Sequence, residues 1–226
     1  MSSLAKAKAG NPWFSWQYVQ DNAETIRAAL IEHVKFTVEA MIIATVLGVL
    51  LAVVAYWVRP VAGPILSLTG VLYTIPSLGL LAFVGPLMPS LRSAVVLALV
   101  IYALLVIVRS TLTALIQVPA DVREAATGMG YGKLARLWRV ELPLALPGML
   151  TGVRLATVST VALVTVGALI GNGALGSLLM DGFRNNFYKA QIATAAILCV
   201  LLALVFDTIL LLIGRALTPW RRRRAA

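Results

Sequence analysis

The sequence is poor in charge and nearly empty of thiol and imidazole. Among 226 residues there is one cysteine and one histidine. A lone Cys199 closes no intrachain disulfide, and Cys199 with His33 falls short of any His/Cys metal site. Charged residues make up 12% of the chain, about half the roughly 25% of a soluble domain. Acids are scarcest, nine Asp and Glu against 19 Lys and Arg. So few charges cannot coat a water-facing surface, which excludes a soluble enzyme, a disordered chain and a secreted disulfide scaffold. No Gly-x-x-x-x-Gly-Lys-Ser/Thr run is present, so the chain has no P-loop for ATP. No spaced carboxylate pair in the apolar stretches and no Ser/His dyad points to a membrane hydrolase. Basic and aromatic residues do not interleave as they do on a nucleic-acid platform. The chain is therefore read as neither an enzyme nor a nucleic-acid binder, and as carrying no metal.

What remains is apolar sequence, 60% of the residues. One helical crossing of a bilayer needs about 20 mostly apolar residues. Gaps between charges place five crossings: about Val34 or Ala40 to Val58, Ile65 to Val84, Ser93 to Ile116, Pro147 to Ile170, and Ala190 to Gly214. The predicted class is all-α and polytopic, with five transmembrane helices. Residues 1–33 lack the apolar core of a signal peptide. Trp13, Phe14, Trp16 and Tyr18 cluster there as interfacial anchors do. Ile26, Ala29, Leu30 and Val34 follow at helical spacing, which predicts an amphipathic helix lying on the membrane. The expected organisation is a tail and interfacial helix over 1–33, a membrane domain over 34–215 containing a loop at 119–143, and a basic tail over 216–226.

Five crossings put the two ends on opposite sides. With the loop inside, the inner set of cations is Arg59, Arg109, Arg123, Lys133, Arg136, Arg139, Arg154, Arg215 and Arg221 to Arg224, or 12, against 7 outside. The positive-inside bias favours this orientation, with the N-terminus outside and the C-terminus cytoplasmic. The Arg221–Arg224 run reads as a stop anchor on anionic lipid headgroups.

The loop reads DVREAATGMGYGKLARLWRVELPLALP from Asp121. Pro119 can open a helix whose positive end suits Asp121 and Glu124. Gly128, Gly130 and Gly132 break it, and a second short helix is expected from Lys133. Leu134, Leu137 and Trp138 would form one face of that helix and Lys133, Arg136 and Arg139 the other, with Pro143 and Pro147 ending it. Two short helices, half apolar and half charged, suit capture by a soluble partner.

These residues carry a resemblance. Glu124-Ala125-Ala126, then Gly130, Val140 and Leu142-Pro143, at spacings of three, nine and one, resemble the EAA loop of binding-protein-dependent ABC importer permeases. Val140 stands where Ile is usual. The resemblance implies that this loop is the coupling helix seated in a groove of a cytosolic ATPase, with Glu124, Ala125, Ala126 and Gly130 as docking positions. Tyr73-Thr74-Ile75-Pro76-Ser77-Leu78 is similar to a segment of the permeases for glycine betaine, choline and related osmoprotectants. Gly152-Val153-Arg154 and the stretches at 168–171 and 173–176 resemble the same subgroup, with Asn172 departing from its small residue. The implied partners are an ATPase dimer, a second permease (identical or related), a periplasmic or lipid-anchored binding protein, and membrane lipid. ATP would be bound by the ATPase, leaving this chain without a cofactor. The alternatives are the same machine for methionine or another small polar solute, or, from another class, a membrane-embedded enzyme or a channel.

Polar groups inside crossings are costly and read as functional. Asp207 lies deep in the last crossing and needs a partner, with Arg154 or Arg109 the candidates. Glu39 sits early in the first and suits the interface. Pro76 removes a backbone donor in mid-crossing, which predicts a kinked helix. Tyr73, Thr74 and Ser77 would then line a pathway, and Tyr73 and Tyr102 offer ring faces to a quaternary ammonium. Between the last two crossings, Leu175, Leu178, Leu179 and Phe183 are spaced for a short amphipathic helix.

Overall fold

The computed structural model describes residues 11–171 and 173–219. Among them every regular element is helical. The order is α1 (Trp16–Asp21), α2 (Ala23–Trp57), α3 (Arg59–Thr74), α4 (Ser77–Val84), α5 (Leu91–Ile116), α6 (Ala120–Gly128), α7 (Lys133–Arg136), α8 (Leu142–Gly167), α9 (Ala174–Arg184) and α10 (Lys189–Leu217). A π turn, Leu137–Glu141, joins α7 to α8, so the helix is unbroken from Lys133 to Gly167. The expected residue at Asn172 and the Arg221–Arg224 run lie outside the described residues.

Four helices are long and apolar enough to cross a membrane: α2, α5, the Lys133–Gly167 helix and α10. A fifth crossing exists if α3 and α4 count as one, and these are bent by 96° at their junction. The expected single helix over 65–84 is therefore a break rather than a kink. Ile75 (ψ 129°) and Pro76 (ψ 132°) are both extended. A residue before proline is pushed out of the α region, and here Pro76 itself follows it to become the N-cap of α4.

The helical segment expected around residues 26–34 is continuous with the first crossing rather than a separate helix. Ala23–Trp57 is one helix of 35 residues, about 52 Å long at 1.5 Å per residue. Its charges misled the reading because they are neutralised on the spot. Arg92 on α5 donates to Glu32 (3.2 Å) and to Glu39 (2.5 Å), and its guanidinium lies 4.5 Å from the Phe36 ring centre. Ile26 and Ala29 are buried within the protein.

The helices divide into two compact units. One comprises the described residues up to Ala40, with Pro76–Leu99 and Ser159–Val205. In it the N-terminal segment is pinned by side chains. Asn11 donates to the Phe187 carbonyl and accepts from the Lys189 amide. Tyr18 meets Tyr188 edge-on at 5.3 Å, and burial, helped by Tyr188 and Asp181, pushes its hydroxyl up to about 12. Of the four expected anchors, Trp13, Phe14 and Trp16 are exposed and Tyr18 is not. His33 is fully buried, with Nε2 3.0 Å from the Val161 carbonyl. On α9, Leu175 and Leu178 are buried as expected, but Phe183 faces out and stacks edge-on with Phe187. One helical face is too narrow to cover all four.

The second unit comprises Met41–Ile75, Val100–Val158 and the described residues from Phe206 onward. Its core joins Ala114, Leu115 and Val118 of α5 to Leu137, Ala145 and Met149, with Val49, Val53 and Tyr56 of α2 against them. A second cluster joins Ala52 and Ala55 of α2 to Val108 and Leu112 of α5, with Ile65 and Leu66 of α3. Close approach of α5 and α8 depends on Gly152, because a Cβ there would overlap the Ser110 side chain.

Candidate functional site: the charged loop and the broken helix

Pro119 caps α6 and Asp121 occupies its first turn, where its carboxylate accepts from the Val122 amide at 2.9 Å. The helix ends at Gly128. The Tyr131 amide then reaches back to the Ala126 carbonyl (3.1 Å), and Gly130 adopts φ 86°. That left-handed conformation favours glycine, so the turn explains Gly130. Glu124, Ala125 and Gly130 are exposed, whereas Ala126 is covered by its own chain. Ala126 is thus no surface contact.

The loop departs from expectation beyond Lys133. Pro143 and Pro147 do not end a short helix, because both lie inside the helix running to Gly167. The π turn absorbs the change. The Leu142 amide bonds to the Leu137 carbonyl five residues back, and a widened turn is one way to accommodate the ring that follows. Val140, Leu142 and Pro143 are half-buried on this helix. The expected apolar face is split, with Leu137 buried and Leu134 and Trp138 exposed, the latter 65%. Ala120, Arg123, Glu124, Thr127, Gly128 and Arg136 line an open groove of about 460 Å³.

Three residues not expected as site positions hold this loop. Arg136 donates from Nε to Glu141 Oε1 (2.8 Å) and from Nη1 to Thr127 Oγ1 (2.9 Å). Arg123 Nη1 donates to the Tyr56 hydroxyl at 3.2 Å. Glu141 is 1% exposed. The available signal was an acid between Val140 and Leu142, at the start of an apolar run.

At the helix break, Tyr73 and Tyr102 meet edge-on with ring centres 5.8 Å apart. The Tyr102 hydroxyl donates to the Ile75 carbonyl, an acceptor that the break removes from the helix ladder. Thr74 Oγ1 bonds the Val71 carbonyl at 2.7 Å. Tyr73 is exposed and Tyr102 buried. Ser77 opens α4. Elsewhere, Asp207 takes Arg154 rather than Arg109 as its partner. Both carboxylate oxygens are used, at 2.9 Å from Nε and 2.8 Å from Nη2. Arg109 is exposed on α5. The Thr157 and Thr165 hydroxyls bond carbonyls of their own helix.

Long apolar helices, one pair bent at a proline, and a charged two-part loop are the features of a multi-pass membrane protein. Residues 44–223 match the family of binding-protein-dependent transport system inner membrane components, and the chain belongs to that family. It is similar to the osmoprotectant import permease protein OsmW of Salmonella typhimurium, 36% identical over 89% of this chain and 96% of that one. It is likewise similar to the choline transport system permease protein OpuBB of Bacillus subtilis, 32% identical over 90% and 93%. Among solved structures it shares its fold with the MetNI methionine ABC transporter (TM-score 0.76, 21% identity, 88% of this chain and 98% of that one). An amino acid ABC transporter gives the same TM-score at 19% identity, over 89% and 98%. The chain is thus a transport subunit and not an enzyme.

Proposed function

We propose that this chain is the permease of an ABC importer for a small osmoprotectant, such as glycine betaine, choline or carnitine. The cargo reading rests on relatives at 30–36% identity over most of the chain that are named for osmoprotectant, choline, carnitine and glycine betaine transport. The mechanism rests on one observation, the exposed Glu124–Ala125 edge of α6 beside an open groove. Cytosolic ATPases grip this loop at Glu124, Ala125 and Gly130, while Ala126, Val140, Leu142 and Pro143 seat it on its own helices. The loop and C-terminus are cytoplasmic and the N-terminus is outside, as the cation bias favours. Two permeases, identical or related, form the pathway, and a binding protein delivers cargo from outside. ATP binding stabilises one of two states of the pair and hydrolysis restores the other. Tyr73, Thr74, Pro76 and Ser77 line the pathway at the break, with Tyr102 holding it open. A trimethylammonium group offers no N–H to donate, so an exposed ring face such as Tyr73 is the suitable contact.

The test is uptake of labelled glycine betaine, choline, carnitine and methionine by a strain lacking its own carriers, with ATPase and binding protein co-expressed. Uptake of one or more quaternary ammonium compounds is expected, and Glu124→Arg should abolish it while leaving the permease in the membrane. Uptake of methionine alone would overturn the cargo, and active permease that never co-purifies with an ATPase would overturn the mechanism.

A further inference from the structure

A four-residue turn divides the loop. From Lys133 onward the chain is a single helix into the membrane domain. α6 is attached to it through Met129–Gly132, where Gly130 holds a conformation that few other residues take. The backbone hydrogen bonds donated from that turn stay within α6 and the turn itself, so a side chain reaching from the following helix to α6 stiffens the connection. Arg136 is such a bridge, reaching Thr127 on the last turn of α6 and Glu141 at the end of the π turn that leads into α8.

We propose that Glu141 is a positioning residue for transport: through Arg136 it locks α6 to α8, so that movement of the loop becomes movement of the spanning helix. This rests on the reading of α6 as the ATPase-docking helix. Three observations carry it. Glu141 is 1% exposed while Arg136 is 26% exposed on its side chain, so the carboxylate depends on the guanidinium and not the reverse. The π turn is what brings them together. Residues five apart in an α-helix point about 140° away from each other, whereas a turn closed by five-residue bonds brings them to one side. Lastly, Glu141 Oε2 meets no donor among the described residues. Arg136 forgoes the two-oxygen grip that Arg154 has on Asp207 and gives Nη1 to Thr127 instead. Arg136 and Glu141 share one helix, so the bond to Thr127 is what crosses to α6, and the pair with Glu141 fixes the guanidinium that makes it.

The experiment uses the whole importer, with ATPase and binding protein, in lipid nanodiscs and liposomes. Spin labels at Gly128→Cys on α6 and Leu144→Cys on α8, in a Cys199→Ser background, report their separation. Radiolabelled glycine betaine and released phosphate give cargo moved per ATP. Without substitution at the link, one narrow distance is expected with and without a non-hydrolysable ATP analogue. Glu141→Gln should broaden it and lower cargo per ATP at least about fivefold, the smallest usual scale of coupling between sites, with the ATPase still bound. Thr127→Val removes the far anchor without touching the buried acid. It should shift both readouts the same way by a smaller factor, and it decides the matter if Glu141→Gln fails to assemble. A narrow distance and unchanged cargo per ATP in the assembled variants would overturn the link. A parent complex that hydrolyses ATP without moving glycine betaine, choline or carnitine would overturn the cargo reading instead, and the distances would still judge the link.

Discussion

α5 and α10 are nearly the same in composition and opposite in surroundings. Their most apolar windows have mean hydropathies of 2.7 and 3.0, yet 56% of the first is buried within the protein and 6% of the second. The difference lies in where the small residues fall: α10 has six alanines to the four of α5, but four of its six lie in its first eight residues. Along α5, Ala94, Ala98, Ala103 and Ala114 let neighbouring helices approach, and Ile107, Val108 and Leu115 fill the space between. α10 is covered mainly near its start, by Ala190, Gln191, Thr194 and Ala195. Farther along, its tie in the second unit is the two-oxygen grip of Arg154 on Asp207. Apolar content therefore says that a helix crosses the membrane, and the small and charged residues say whether protein or lipid surrounds it.

The strongest way to break the contrast is to spoil the packing of α5. Gly152→Ala puts a carbon where the Ser110 side chain lies. Overpacking costs about 1–3 kcal/mol and occasionally more, and the membrane yield of folded permease should fall sharply in fluorescence-detected size-exclusion chromatography. Ser110→Gly in the same chain removes the obstacle and should restore the yield. A Gly152→Ala variant folding as well as the parent would show that α5 and α8 are not closely packed here.

The middle effect lies on the tie of α10. Asp207→Asn keeps the shape and one acceptor but removes the charge facing Arg154. Hydrogen bonds to charged groups are worth about 1.5–3 kcal/mol, so the thermal midpoint in detergent should fall and transport should weaken while the complex still assembles. Arg154→Gln should do the same harm, and the double variant little more, because both act on one interaction. Wild-type stability and transport in Asp207→Asn would make the pair unimportant.

The contrast also separates what could be read from residues alone from what could not. The crossings at α5 and α10 were legible because charge is absent from them over a membrane's thickness. The family was legible because Glu124, Gly130 and Pro143 hold its spacing. The continuity of α2 was hidden, since Glu32 and Glu39 look like a surface face until Arg92, more than fifty residues away, is seen to neutralise them. The π turn was hidden too. Pro143 and Pro147 are ordinary helix terminators unless the turn before them widens, and that depends on where Leu137 and Glu141 are buried. At Pro76 the local chemistry predicted a kink. A full break needs the Ile75 carbonyl to be satisfied from elsewhere, which Tyr102 does from another helix. Each hidden feature is a long-range partner standing in for a local rule.

The smallest effect should come from the bare side of α10, and it tests the comparison at its weakest point. Ile197, Val200, Leu201, Leu204 and Val205 are all exposed, at steps of three, one, three and one. In water such a stripe would demand a partner, but lipid tails are as apolar as leucine and supply no drive to cover it. None of these five is a small residue of the kind that lets helices close on each other. Val200→Ala and Leu204→Ala should therefore change stability by less than about 0.5 kcal/mol, as for residues outside any packed contact. The fraction of permease recovered as pairs in cross-linking should also stay constant. A loss of pairing in either variant would make this stripe the seam between two permeases, and α10 would then resemble α5 after all, with the burying helix supplied by a second subunit.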